Sequence, residues 1–266
     1  IPAEPLFRSM SYIDNCEKYH NDIVGNFTPA TSIPNFFTDS ELQDLLLLQF
    51  QLADRIKYTP TSNNIQPVCD IDSVFKSCTW LAPKMREVIG DFADNHSGNY
   101  YITTQLHDAH VDLLSETETQ RPEFAWSKNV IPYKSCVIPL VITPKADAYT
   151  AFFHQRHIGY SFTFDRVNIS EQENSDYTII RSYPDFYNID GEISNKGDYV
   201  REKNFLFPQI PQGNLFGLSI EECLPYDLGS IMIFDACQIH ASTVKRNKPN
   251  YRWLKSGMNI QFYKEI

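Results

Sequence analysis

Pro225-Tyr226-Asp227-Leu228-Gly229-Ser230-Ile231-Met232-Ile233-Phe234-Asp235-Ala236-Cys237-Gln238-Ile239-His240-Ala241-Ser242 is the stretch whose reading decides the fold. Asp227 to Gly229 has turn chemistry, and the β-branched and aromatic run after it reads as a buried strand. His240 follows on the next segment. Working outward, similar runs occur at 100–106, 135–143, 161–164 and 253–263. Asn247-Lys248-Pro249-Asn250 is a turn, so the C-terminal region reads as an antiparallel hairpin. Aromatic residues make up 14% of the chain and glycines number only 10, a balance that favours pleated, half-buried surfaces. Residues 144–225 are polar, Tyr-rich and irregular, with surface loops expected at 168–176 and 185–198.

The first third has a different texture. Thr38-Asp39-Ser40-Glu41 is a capping-box pattern, and Leu42, Leu45, Leu46, Gln49, Leu52, Ala53 and Ile56 follow largely at helical spacing. This predicts a helix over about 39–57. A second is predicted over 83–93, with Pro83 in its first turn and Met85, Val88, Ile89 and Phe92 on one face. The expectation is one domain: a mixed, partly helical support over 1–97 and a β core over 98–266 with a long insert at about 144–220.

The 266 residues are long enough to bury a core without disulfides or a structural metal. A formal charge of −10 argues against a general affinity for nucleic acid. No apolar run reaches the roughly 18–20 residues that cross a bilayer, and residues 1–9 lack a signal-peptide pattern. Six scattered cysteines without a CxxC read as reduced thiols, so a cytoplasmic location is expected.

Chemistry concentrates at Leu106-His107-Asp108-Ala109-His110-Val111-Asp112. Residues two apart on a strand point to one side, so His110 and Asp112 would converge while His107 faces away. Alone, such an HxD reads as a solvated polar strand end. One His and one carboxylate close in sequence, joined by the distant His240, make the ligand set of a 2-His-1-carboxylate facial triad, which leaves open positions on Fe(II). Arg252, past the Asn-Pro-Asn turn, has the planar fork that grips a carboxylate bidentately, with Ser256 on its face at i+4. By itself Arg252 reads as a surface ion pair.

Together, His110-x-Asp112, the Gly229–Asp235 strand running to His240-Ala241-Ser242, and then Arg252 resemble the Fe(II)/2-oxoglutarate-dependent oxygenase superfamily. The resemblance covers roughly 100–143 and 222–263. It implies a double-stranded β-helix (a jelly-roll, cupin-like core) with His110, Asp112 and His240 as iron ligands. It also implies Arg252, with Ser256, holding the distal carboxylate of 2-oxoglutarate, and Tyr101 as the match to a tyrosine that contacts 2-oxoglutarate in some members. The implied activity is a dioxygenase, in the first instance a hydroxylase of a small or amino-acid-like substrate, using O₂ and 2-oxoglutarate. The 130 positions between the two histidines exceed what a minimal jelly roll needs, which is why the insert is read as shaping the mouth of the site.

Other readings stand beside this one. A cupin-type metal protein would use the barrel and the histidines without 2-oxoglutarate. His154 and His157, at helical i, i+3 spacing, form an alternative ligand pair with no evident third member. His107 reads as structural, His20 and His96 as solvated, and Cys237 as core. The tyrosines of the insert either stack on a substrate or pack a loop onto the barrel.

Overall fold

Strand order follows from which residues find partners. The computed structural model describes residues 28–51, 57–60, 65–68, 71–92, 96–103, 106–107, 109–111, 130–143, 148–158, 178–180, 207, 209–210, 218, 220–244 and 254–265. These give β1 (Thr31–Ile33), α1 (Asp39–Gln51), β2 (Lys57–Pro60), β3 (Ile65–Val68), α2 (Ile71–Ser77), α3 (Leu81–Ile89), β4 (His96–Thr103) and β5 (Val130–Thr143). There follow β6 (Ala148–Ile158), β7 (Thr178–Ile180), β8 (Ile220–Pro225), β9 (Ile231–Asp235), β10 (Gln238–Val244) and β11 (Leu254–Glu265).

One sheet has the order β1-β9-β5-β11-β4, and every pairing in it is antiparallel. In the second, β6 lies between β10 on one side and β8 and β7 on the other, again antiparallel. His110 bridges to His240 on the free side of β10. Along the chain the path steps from β4 in the first sheet to the His110 segment, back to β5, over to β6 and β8, back to β9, over to β10 and back to β11. That alternation is jelly-roll topology, and the expected double-stranded β-helix is borne out.

Strand alternation sorts the side chains into layers. From β5, β9 and β11, Cys136, Ile138, Leu140, Ile231, Ile233, Met258, Ile260 and Phe262 face the helices and pack with Leu45, Leu48, Val74, Leu81, Met85 and Ile89. Their neighbours Val137, Met232 and Phe234 face the barrel interior, with Tyr101, Phe152 and Tyr226. Ala151, Phe153, Ile239 and Ala241 lie on the outer side of the second sheet beneath Phe207, Ile210 and Leu218.

The helical support forms for the expected reason. Glu41 Oε2 accepts from the Thr38 amide at 2.8 Å, and the Glu41 amide donates to Thr38 Oγ1 at 3.3 Å, which closes the capping box. Helix α1 runs to Gln51, and Lys57 already belongs to β2, so the predicted helix over 39–57 is too long at its C-terminal end. Helix α3 begins two residues before Pro83 and stops at Gly90, whose φ of 85° suits glycine at a C-cap. Met85 and Ile89 are buried as expected, while Phe92 is buried beyond the helix end. The seven-residue α2 was not anticipated.

Three expectations need correction. β10 and β11 do not form a hairpin: β10 pairs with β6 in one sheet and β11 with β4 and β5 in the other. Turn residues report that the chain reverses, not which sheet it re-enters. The irregular tract expected from residue 144 contains β6, the central strand of the second sheet, and His154 and His157 lie on this strand rather than at helical spacing. Residues 161–164, both expected surface loops and the Asn247–Asn250 turn lie outside the described residues. The four described cysteines, Cys78, Cys136, Cys223 and Cys237, carry no disulfide, and burial pushes the Cys136 thiol far above its ordinary range. Among the described residues no helix is long and apolar enough to cross a membrane.

Candidate active site

His110 and His240, far apart in sequence, become direct cross-strand partners. The His110 amide donates to the His240 carbonyl and the His240 amide to the His110 carbonyl, both at 3.0 Å. Such a hydrogen-bonded pair puts both side chains on one side of the sheet, and the imidazole centroids lie 4.3 Å apart. The neighbours Ala109, Val111, Ile239 and Ala241 all pack on the outer face, so the two rings face the interior. There the His240 ring lies 4.8 Å from Phe234 and 5.8 Å from Phe152, centroid to centroid.

The hydrogen bond at 3.0 Å between His240 Nδ1 and the Gln238 carbonyl assigns the tautomer, because a carbonyl can only accept. Nδ1 therefore carries a proton; in the neutral ring that leaves the lone pair on Nε2, the arrangement a metal-binding imidazole requires. His107, expected to face away, instead places its ring 5.8 Å from that of His110 in a tilted pair and 6.1 Å from Tyr101 edge-on. The Ser242 amide donates to the His107 carbonyl, so three steps from 107 to 110 match two steps from 242 to 240. The odd residue cancels the simple alternation that the prediction assumed. Asp112 and Arg252 lie outside the described residues, and among the described residues no three His, Cys, Asp or Glu side chains gather at one point.

Ser256 does not face the barrel. Its Oγ exchanges hydrogen bonds with the Gln49 amide of α1, accepting from Nε2 at 3.1 Å and donating to Oε1 at 3.2 Å. Its neighbours Lys255 and Gly257 face the interior. A Cβ on Gly257 would collide with the Tyr101 and Tyr226 hydroxyls, so only glycine lets those two meet there. The Tyr226 hydroxyl donates to the Ser256 carbonyl at 2.8 Å, and Tyr101 therefore donates its own proton to Tyr226, also at 2.8 Å. Tyr101 thus lies inside the barrel with its proton committed. Burial, reinforced by Tyr101, pushes the Tyr226 phenol well above its ordinary range, so it stays neutral.

Lys255, which the sequence offers only as a fallback to Arg252, is an inward cation. Its Nζ donates to Ser242 Oγ at 2.9 Å and sits 4.8 Å above the Tyr226 ring. An ammonium has three protons, and this bond uses one. Burial pulls the Lys255 pKa down to about 8, and no carboxylate among the described residues counters that shift. Ser242 is the next inward residue after His240 on β10, about 6.6 Å along the strand. The ammonium held by Ser242 and the paired imidazoles therefore face the barrel interior from neighbouring inward positions of β10.

A second buried polar group, missed from sequence, braces the barrel where β9 meets β6. Asp235 takes Lys134 Nζ on Oδ1 at 2.5 Å and Arg156 Nε on Oδ2 at 3.2 Å. Arg156 Nη2 reaches Glu221 at 3.5 Å, and Glu221 Oε2 accepts from the Ala30 amide at 3.4 Å. Two cations meet two carboxylates, and residues 28–30 are tied in by the same groups.

Antiparallel sheets in jelly-roll order, with two facing histidines and a lysine inside, define a double-stranded β-helix with a polar interior. No protein-family model matches the chain, and no curated protein matches it in sequence. Solved structures similar to it include a Pseudomonas putida prolyl-4-hydroxylase, at 7% identity over 94% of this chain and 100% of that one, TM-score 0.43. The non-haem α-ketoglutarate-dependent carbocyclase SnoK from nogalamycin biosynthesis is 8% identical over 94% and 83%, with a TM-score of 0.48. HygX from Streptomyces hygroscopicus, with nickel and 2-oxoglutarate bound, is 13% identical over 91% and 85%, TM-score 0.41. At these identities and scores the superpositions assign no activity. The reading of the site rests on the chain's own strand order and side chains.

Proposed function

We propose that this chain is a non-haem Fe(II)- and 2-oxoglutarate-dependent dioxygenase, a hydroxylase of a small or amino-acid-like substrate. The observation that carries the reading is the inward His110–His240 pair, with the His240 Nδ1 held by the Gln238 carbonyl. That donor set fits a divalent metal held by two imidazoles, with Asp112 as the carboxylate that completes the facial triad. Iron held there would supply the redox centre at which O₂ is reduced while 2-oxoglutarate is decarboxylated to succinate and CO₂.

The residues of the chain do the rest by placement. Lys255, buried and lacking a carboxylate partner among the described residues, holds the distal carboxylate of 2-oxoglutarate. It takes the role that the sequence resemblance gives to Arg252 and Ser256. Tyr226 lies beneath the ammonium, and Phe152 and Phe234 wall the histidines and limit water at the reacting end. A dry pocket strengthens the ammonium–carboxylate attraction and keeps the oxidising chemistry from unprotected side chains.

The test is anaerobic titration with Fe(II) and then 2-oxoglutarate, followed in the visible spectrum for a metal-to-ligand charge-transfer band. The band is expected in the unsubstituted chain and absent from His110→Ala and His240→Ala. Metal uptake with no band and no 2-oxoglutarate binding would move the assignment to a cupin-type metal protein. Running Lys255→Met beside Arg252→Met separates the two candidate cations, and only the first is expected to lose 2-oxoglutarate.

A further inference from the structure

The backbone around His240 departs from a regular ladder. Gln238 opposes Arg156 and His240 opposes Phe152, so two steps along β10 face four along β6. An irregularity of this kind leaves carbonyls without ladder partners and re-aims side chains beside it. Here the freed carbonyls are taken up by side chains. Gln238 Nε2 donates to the Phe153 carbonyl at 3.0 Å, and Arg156 Nη1 donates to the carbonyls of Phe153 at 2.8 Å and His154 at 2.9 Å. The same Gln238 amide also donates to Glu221 Oε2 at 2.5 Å. Gln238 is fully buried, and its own carbonyl is the group that accepts the His240 Nδ1 proton.

We propose that Gln238 is a positioning residue for His240. Its side chain locks the irregular backbone between β6 and β10, and its carbonyl, held by that lock, fixes the orientation and tautomer of the imidazole. The inference rests on the reading of His240 as a metal ligand. Outer-sphere groups of this kind typically change metal affinity by about 10–100-fold when removed. Deleting the amide leaves the Phe153 carbonyl and Glu221 short of a donor, and the backbone relaxes toward regular pairing. The Gln238 carbonyl then turns away from Nδ1.

The experiment uses the full chain without metal and compares it with Gln238→Leu and Lys134→Met. Lys134→Met removes a buried charge from Asp235 without touching Gln238, so it controls for lost stability. Two quantities are read: Co(II) affinity by competition titration, and the His240 Nδ1 proton by ¹⁵N-resolved NMR of the metal-free protein. Gln238→Leu is expected to weaken Co(II) by about 10–100-fold and to lose the protected Nδ1 signal, while Lys134→Met keeps both. If Gln238→Leu does not fold, Gln238→Met, which keeps the unbranched stem and drops the amide, takes its place. Unchanged affinity with the Nδ1 signal intact overturns the proposal, and so does an equal loss of affinity in Lys134→Met. If the unsubstituted chain takes up no Co(II), the metal reading fails, and the NMR signal still decides whether Gln238 orients the ring.

Discussion

Two groups of buried charge stand out among the described residues of this barrel, and they are built differently. At the join of β9 and β6, Lys134 and Arg156 meet Asp235 and Glu221, and each cation has a carboxylate from the chain itself. In the interior, Lys255 has a serine hydroxyl and a tyrosine ring but no carboxylate among the described residues. Desolvating a charge is expensive wherever it happens. The first group meets that cost with internal partners and acts as scaffold. The second leaves it partly unmet, which a protein tolerates where a ligand supplies the missing charge.

The largest effect expected from breaking this contrast is in the scaffold. Asp235→Ala leaves Lys134 without a carboxylate and Arg156 with Glu221 alone, and should destabilise the fold by about 3–5 kcal/mol, read from urea unfolding of the metal-free protein. Lys255→Met should do the reverse. With a buried ammonium replaced by an apolar chain of similar length, stability should hold or rise, while 2-oxoglutarate binding weakens by about 2–5 kcal/mol in calorimetric titration. A Lys255→Met protein as unstable as Asp235→Ala would erase the distinction.

Acidity sharpens the same contrast. With its pKa drawn down to about 8 by burial, Lys255 is protonated below that pH in both folded and unfolded chains. Between about 8 and the ordinary lysine value only the unfolded chain keeps the proton. The Lys255 contribution to stability therefore rises with pH across that window. Carboxylate binding runs the other way: affinity should be flat below about pH 8 and fall about tenfold per unit above it. Lys255→Met should abolish both slopes. The smallest effect belongs to a pair near the surface: Lys84 bonds Glu41 at 2.6 Å over the rings of Phe36, Phe37 and Trp80. Lys84→Met should cost about 1 kcal/mol or less in the same unfolding assay, because partial exposure screens the pair.

What could be read from sequence alone was local or strongly typed. The capping box at Thr38, the strand after Gly229 and the distant pairing of His110 with His240 were all legible, since turn chemistry and ligand types survive without coordinates. Facing was not. Whether Lys255 or Ser256 points inward depends on strand phase carried across a connection whose length the sequence does not interpret. β6 was hidden because Thr150, His154 and Arg156 interrupt its apolar run, and polar groups ordinarily mark surface. Arg156 and Asp235 look like two exposed charges 79 positions apart, and only the closing of the barrel turns them into a buried bond.

The bridge between His110 and His240 also bears on how the chain reaches its folded state. It joins residues 130 positions apart through a pair of backbone hydrogen bonds, with the Ser242–His107 bond beside it. A contact of that range carries a large loop-closure entropy and is won only after β5, β6 and β9 have brought β10 into place. Both imidazoles come together only when β10 is in place, so metal affinity would report long-range assembly rather than local structure. An ion bound across the pair would act as a reversible cross-link, favouring the folded chain over every partly folded one by mass action.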